Sequence, residues 1–172
     1  MSETMCASAL PLVTLLEETI EIVEAMGADL YTRLAEHHSA TIGMHLRHSA
    51  DHVRALMRGL GSGTIEYDLR EAGGIEERSL DAGISYLRSL AEALRAVPPG
   101  AESHPVRVFA YMDPNQAPRE FQSTFGRELV FVLSHTVHHN ALIRSIASQH
   151  DFNVPEYFGF APSTIARLVC AR

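Results

Sequence analysis

The segment of residues 124–149 reads TFGRELVFVLSHTVHHNALIRSIASQ and contains no proline. Its apolar residues recur with the period of one helix face, so the segment predicts a long helix. On a helix with about 100° per residue, His135 and His139 lie four positions apart and project from the same face. That face also carries four apolar residues, namely Val132, Leu142, Ile143 and Ile146. We therefore expect His135 and His139 to point into a packed core, with His138 nearer the edge.

Proline positions mark where the other long helices can run, because proline interrupts helix interiors. No proline occurs between Pro11 and Pro98. Apolar spacing in the N-terminal half predicts three helices, over residues 10–37, 41–60 and 79–97. Ser39 or Thr41 is the expected N-cap of the second helix. Residues 65–75, between the second and third helices, are expected to form a loop, and a short terminal helix is expected from Ser163.

Two short segments between the third and fourth helices have the pattern of strands. Residues 105–112 alternate and are rich in valine and aromatic residues, and residues 119–123 follow after Asp113-Pro114-Asn115. That tripeptide is typical of a turn, so the region predicts a small β-hairpin. The chain has 172 residues, the length of one domain. The predicted fold is all-α: one four-helix bundle over residues 1–172, with a small β-hairpin between helices 3 and 4.

Composition narrows the possible partners and compartment. There are 14 basic and 21 acidic residues, giving a net charge of −7. This charge argues against nucleic acid as a partner, because phosphate binding needs a basic face. No apolar run reaches about 18 residues, so no membrane span is expected. Cys6 and Cys170 form no paired motif, and residues 1–10 carry no basic residue of a signal peptide, so we expect a cytoplasmic protein.

Histidine is unusually frequent and unevenly distributed. The chain has ten histidines, of which nine fall into two clusters: His37, His38, His45, His48 and His52, and then His135, His138, His139 and His150. Imidazole is the commonest metal ligand, and burying two imidazoles costs free energy unless both are satisfied. A pair four residues apart on an apolar helix face therefore favours a metal site over hydrogen-bonded core histidines. His37, His38, His104 and His150 are expected at the surface or at helix caps.

A third ligand must come from another helix. His45, His48 and His52 share one sector of the second helix, and the wheel slightly favours His45 over His48 without deciding between them. The HExxH pattern of zincins is absent, since Thr136 follows His135. No helix supplies the Glu-x-x-His pattern of di-iron bundles. The sequence thus predicts a mononuclear site with three histidine ligands.

Three stretches resemble the DinB-like superfamily, a group of four-helix bundles related to metal-dependent thiol transferases. His48-Ser49-Ala50-Asp51 is similar to the family's His-x-Ala-Asp motif of the second helix, and His135-Thr136-Val137-His138-His139 to its His-x-x-His-His motif of the fourth. Tyr67-Asp68-x-Arg70 and the tail Phe158-Gly159-x-Ala161-Pro162-Ser163-Thr164 resemble a subgroup of uncharacterised bacterial members. The resemblance spans residues 42–164.

The resemblance implies a specific site and chemistry. It places the metal ligands at His48, His135 and His139 and implies a divalent ion, zinc or nickel. Three histidines leave a position for water or substrate. Characterised relatives act on small molecules with a low-molecular-weight thiol such as bacillithiol, mycothiol or glutathione. Family members commonly form homodimers through helix packing, so the resemblance also implies a homodimer.

Further residues are candidates by position. Asp51, Glu128 and His138 could take part in catalysis, whereas Asp51 could instead pair with Arg47 or Arg54. Glu128 could line the cavity, receive a proton, or simply face the dipole of the fourth helix. His138 is favoured as a hydrogen-bonded support for the site.

His45 and His52 could be alternative ligands or polar groups of the pocket. Tyr67, Asp68 and Arg70 could cover one end of the bundle or form a structural Asp–Arg pair. The alternative to an enzyme is a non-catalytic bundle that binds a metal or a small molecule, with a role in stress.

Overall fold

A computed structural model of the chain describes residues 5–36, 38–69 and 73–170. In these ranges the α-helices are α1 (Leu10–Thr32), α2 (Ile42–Ser62), α3 (Leu80–Arg95), α4 (Phe125–Gln149) and α5 (Pro162–Cys170). The strands are β1 (Thr64–Glu66), β2 (Pro105–Ala110) and β3 (Arg119–Thr124). The protein is therefore mostly helical and carries a small three-stranded sheet.

The long helices begin where their capping residues permit. Thr41, Ser79 and Thr124 each accept a hydrogen bond from a backbone N–H three residues later, at α2, α3 and α4 respectively. These side chains satisfy donors that a helix start leaves without a partner. The predicted start of α2 at Thr41 is thus confirmed, and α4 begins and ends within one residue of the prediction.

Helix α1 is shorter than predicted. Gly27 has a φ of 79° and kinks the helix, and Arg33 takes an extended conformation after Thr32. The apolar pattern that suggested residues 10–37 included Leu34, which is 60% exposed and does not belong to a buried helix face. His37, at the predicted end, lies outside the described residues.

The predicted hairpin is one part of a larger sheet. Strands β2 and β3 pair antiparallel, with Val108 opposite Phe121. Strand β1 pairs parallel with β2, with Ile65 opposite Val108, so the expected loop at residues 65–75 was wrong for its first two residues. Three residues are too few to show strand alternation, which is why the pattern missed β1. Ile65 is fully buried and packs beside Gly59 of α2.

The core lies between the four long helices. Helix α1 packs against α3, α2 packs against both α3 and α4, and α1 also contacts α4. Buried leucine, isoleucine and valine residues from all four helices form one continuous cluster. In the described part of the chain, no helix is both long and apolar enough to cross a membrane.

The start of α2 is fixed by a close approach at Gly43. A Cβ there would collide with the Glu77 carbonyl oxygen and with the Tyr31 ring. We expect Gly43→Ala to lower the free energy of unfolding by about 1–3 kcal/mol, because the neighbouring backbone must move. Gly61 lies in the same helix with nothing near its Cβ position, so Gly61→Ala should raise stability by about 0.5–1 kcal/mol. Urea unfolding of both variants checks the opposite signs, and equal effects would contradict the contact at Gly43.

Candidate metal centre

The histidines of α2 and α4 face each other where these two helices pack. Between them, the Ser49 hydroxyl donates to Thr136 Oγ1 at 3.1 Å, and Thr136 donates to the Val132 carbonyl at 2.9 Å. Both residues are buried and small, which lets the helices approach closely. The contact joins the residues that directly follow His48 and His135, so it holds α2 and α4 together beside these two imidazoles.

Three imidazoles of this row have their nitrogen atoms close enough to share an ion. His48 Nε2 and His135 Nε2 are 3.1 Å apart. One nitrogen from each of His48, His52 and His135 lies within 4.8 Å of the other two. Two nitrogens bound to one tetrahedral zinc ion are separated by roughly 3.3 Å, since zinc–nitrogen bonds are about 2.0–2.1 Å. The donor set therefore fits a first-row divalent metal that prefers imidazole.

His52 is held in the tautomer that a metal ligand needs. Its Nδ1 lies 3.0 Å from the His48 carbonyl oxygen, one turn earlier in α2. A carbonyl only accepts, so Nδ1 carries the proton and Nε2 is left as the ligand atom. A hydrogen bond from the second ring nitrogen to a carbonyl is the usual support of a metal-bound histidine. His52 is buried, and its ring stacks on that of His135 with centroids 3.9 Å apart.

His139 lies beside these three residues but faces a different partner. Its ring centroid is 4.6 Å from those of both His48 and His135. Its Nδ1, however, is 3.1 Å from Nδ1 of His45. Burial and the neighbouring imidazoles lower the pKa of His139 to about 2, so its ring is neutral. The structure thus brings His48 and His135 together with His52, and places His139 next in the row with His45.

We call these five residues the histidine row: His52, His135, His48, His139 and His45. The sequence singled out His135 and His139 from the helical wheel, and a buried His139 agrees with that expectation. It left His52 as an alternative. The signal for His52 was present, because His48 and His52 have the same four-residue spacing as His135 and His139.

One end of the row meets a cavity of about 330 Å³ between the sheet and α4. The ring of Tyr67 stacks on His52 at 5.2 Å, and the ring of Phe131 stacks on His135 at 6.0 Å. Both aromatic residues also line the cavity, together with Val108, Ala110, Phe121, Gln122, Ser123, Arg127 and Glu128. The rings of Tyr67 and Phe131 therefore contact both the cavity and the histidines. Neither ring is connected with the histidines by its place in the sequence, because only the folded chain brings them there.

Glu128 is buried in the first turn of α4 and lines this cavity. Tyr67 Oη donates to one carboxylate oxygen at 2.8 Å, and Ser123 Oγ and Arg127 donate to the other at 2.6 and 3.0 Å. Burial and the Glu128 charge raise the pKa of Tyr67 well above its usual value. The carboxylate thus holds Tyr67 protonated and fixes the ring that stacks on His52. Of the roles considered for Glu128, both lining the cavity and facing the dipole of α4 from its first turn agree with its position.

Asp51 is enclosed by cations rather than by imidazoles. One of its oxygens is 2.8 Å from Arg47, and the other is 3.0 Å from Arg54 and 3.1 Å from the Tyr86 hydroxyl. The carboxylate is buried, and Arg47 also bonds Glu77 at 2.5 Å. This network ties α2 to α3 and to the turn before it. The structure favours the ion-pair role for Asp51 over the catalytic one.

The remaining histidines differ in exposure. His138 is exposed, with its ring 5.2 Å from that of His139, and His104 is also exposed as expected. His150 is the C-cap residue of α4, which agrees with the expected cap, and its Nε2 is buried, whereas His38 is half-buried with Nε2 3.3 Å from Ser145 Oγ. The suggested pairing of Asp68 with Arg70 cannot be followed, because Arg70 lies outside the described residues. Asp68 accepts a bond from the Tyr111 backbone N–H at 3.2 Å.

Comparisons with known proteins add little to this geometry. No family model matches the chain, and no solved structure matches it. A segment of 49 residues is 45% identical to FK506-binding protein 5 of Rhizopus delemar. That segment is 28% of this chain and only 13% of the relative, so the similarity shows neither a family nor a function.

Asp51→Asn tests whether this carboxylate is structural. Replacing it removes the carboxylate that Arg54 contacts and one of the two that Arg47 contacts, so we expect the free energy of unfolding to fall by about 1–3 kcal/mol. The exposed pair of Glu24 and Arg88 is the control, and Glu24→Gln should change stability by no more than about 0.5 kcal/mol. Chemical denaturation of both variants measures the difference. An Asp51→Asn protein of unchanged stability would instead return Asp51 to the list of catalytic candidates.

Proposed function

We propose that the chain is a metal-dependent member of the DinB-like superfamily that acts on a small molecule. The observation that carries the proposal is the approach of three imidazole nitrogens, from His48, His52 and His135, within 4.8 Å. The packing of α1 on α3 and of α2 on α4 supports the four-helix bundle of that superfamily. The resemblance further implies a homodimer, which remains a proposal for this chain.

The proposed ligands are His48, His135 and His52, where the resemblance implied His139 as the third. Geometry favours His52, because its Nδ1 is anchored and its ring stacks on His135. A divalent zinc or nickel ion at three histidines would supply a Lewis acid that lowers the pKa of a bound thiol or water. The side chains around these three histidines would position the thiol or water and the substrate.

The cavity beside the histidine row, lined by Tyr67 and Phe131, is the proposed substrate pocket. Its volume of about 330 Å³ suits a small molecule, and its walls combine apolar side chains with the polar Arg127 and Glu128. Arg127 lies over the Phe131 ring, with its guanidinium carbon 5.5 Å from the ring centroid. The proposed reaction is transfer of a low-molecular-weight thiol to this substrate, or hydrolysis of the substrate by water.

One observation favours the non-catalytic alternative, a bundle that binds metal or a small molecule without turnover. Asp51 and Glu128, the two carboxylates offered as catalytic candidates, already accept bonds on each oxygen. Neither is arranged to take a proton from a substrate. Turnover would then depend on metal-bound thiol or water alone.

Metal content tests the site directly. We expect wild-type protein reconstituted with zinc or nickel to retain metal, and His48→Ala and His135→Ala to lose the ion at this centre. His52→Ala and His139→Ala decide the third ligand, because only the true ligand should lower affinity for this ion by about 10–100-fold or more. His104→Ala, an exposed histidine, is the control. Mass spectrometry of desalted protein gives the content, and retention of metal by His48→Ala would sink the proposal.

A pocket variant tests the substrate proposal apart from the metal. Ala110 lines the cavity on β2 and touches none of the row, so Ala110→Leu should fill space needed by a substrate. We expect kcat/KM for a thiol and electrophile pair to fall on the order of tenfold, with metal content unchanged. Ala25→Leu on the exposed face of α1 is the matched control. Metal-loaded wild type without turnover for any thiol or ester substrate would favour the non-catalytic bundle.

A further inference from the structure

The cavity of about 330 Å³ beside the histidine row is lined by three aromatic rings. Tyr67 and Phe131 pack against each other with their ring centroids 5.1 Å apart, and each also stacks on a histidine of the row. Phe121 of β3 differs, because it is 42% exposed and no other ring of the described residues packs against it. Val108 and Ala110 of β2 add further apolar lining. The cavity therefore presents one ring, that of Phe121, which a ligand can cover.

This lining favours a flat aromatic ligand over a saturated one of the same size. Aromatic rings with centroids about 4.5–7 Å apart attract each other through their quadrupoles, in addition to the effect of buried area. A saturated ring beside Phe121 would gain only from the burial of apolar surface. Ligand pockets are usually apolar for the most part, with a few polar groups that fix the orientation of the ligand.

Arg127 is the polar group that can orient such a ligand. Its Nη1 donates to Glu128 at 3.0 Å, and its guanidinium carbon lies 5.5 Å from the centroid of the Phe131 ring. These two contacts hold the guanidinium at the cavity. A guanidinium has several N–H donors in a planar fork, and Glu128 is the acceptor that Arg127 contacts among the described residues. The remaining donors suit a carboxylate, which a guanidinium binds through two parallel hydrogen bonds.

The negative charge of Glu128 does not prevent an anion from binding there. One of its oxygens accepts from Tyr67, and the other accepts from Ser123 and Arg127. Its side chain is only 3% exposed, whereas that of Arg127 is 65% exposed. The donors that a ligand can reach therefore belong to Arg127, while the buried carboxylate is already occupied. A cationic ligand would meet the charge of Arg127 first.

We propose that this cavity binds a small aromatic carboxylate, with its ring beside Phe121 and its carboxylate on Arg127. The ligand class rests on the proposed function, because it names the substrate of the pocket beside the proposed metal centre. Tyr67 and Phe131 each contact both the cavity and a proposed metal ligand, so a ring bound here lies next to that centre.

Three probes with the same carbon skeleton test this ligand class. They are naphthoate, its neutral amide, and its fully saturated decalin analogue, which keeps the carboxylate. Isothermal titration calorimetry measures the binding of each probe to the full chain, both metal-free and loaded with Zn²⁺. We expect naphthoate to bind about tenfold more tightly than either of the other two, because only naphthoate offers both the ring and the carboxylate.

Variants assign each preference to its residue. Arg127→Gln should abolish the preference for the carboxylate over the amide, and Phe121→Leu should abolish the preference for the aromatic over the saturated ring. Arg119→Gln is the matched control, because Arg119 is an exposed arginine of β3 that does not line the cavity. Circular dichroism confirms that each variant is folded. Arg127→Lys, which keeps the positive charge beside Glu128 but not the planar fork, serves if Arg127→Gln is not folded.

Each other outcome has a definite meaning. Equal affinity of wild type for naphthoate and for either comparison probe overturns the proposal, and so do preferences that persist in Arg127→Gln and Phe121→Leu. The metal content of the same samples separates this proposal from the metal centre. Wild type that retains zinc but binds no naphthoate overturns the ligand class and leaves the metal centre. Naphthoate binding without any retained metal supports the ligand class and rejects the metal centre.

Discussion

The packing of α2 against α4 forces imidazoles into the interior, and the rest of the structure depends on satisfying them. Two rings of the row, His52 and His139, are buried and the other three are half-buried, and a buried polar group without a partner costs on the order of 1–3 kcal/mol, so the buried nitrogens must be matched. His52 uses a backbone carbonyl, and the other rings of the row meet in pairs at 3.1 Å. Nitrogen pairs of this kind can hold a proton or a cation, which is why the row is a candidate site rather than ordinary core.

The supporting contacts belong to the same constraint. Ser49 and Thr136 are small and bond each other, and bulkier residues there would separate the two helices. On the side of α2 facing α3, the buried carboxylate of Asp51 is neutralised by Arg47 and Arg54. At the cavity, Glu128 fixes Tyr67 against His52. Each of these three contacts holds a ring or a helix in place. Because each of them lies in the packed interior, the position of the histidine row depends on the packing of the whole core.

Sequence patterns predicted those features of the structure that interactions between neighbouring residues determine. The start of α4 at Thr124 follows from capping, and the burial of His139 follows from helical periodicity, so both could be read from the sequence. Strand β1 could not, because its three residues are stabilised by pairing with β2, more than 40 residues away. The end of α1 was missed for a similar reason, since only the fold shows that Leu34 is exposed.

The third ligand shows the limit most clearly. His48 and His52 have the same four-residue spacing as His135 and His139, so each pair is equally suited to bind one ion. A helical wheel, however, does not show how far one helix is shifted along its axis relative to another. That offset comes from the packing of α2 on α4, of which the contact of Ser49 with Thr136 is one part, and it brings His52 beside His135 and His45 beside His139. A shift of one turn would exchange these partners. Which histidines meet at the proposed metal site is therefore a property of helix register, which tertiary packing fixes and no single helix encodes.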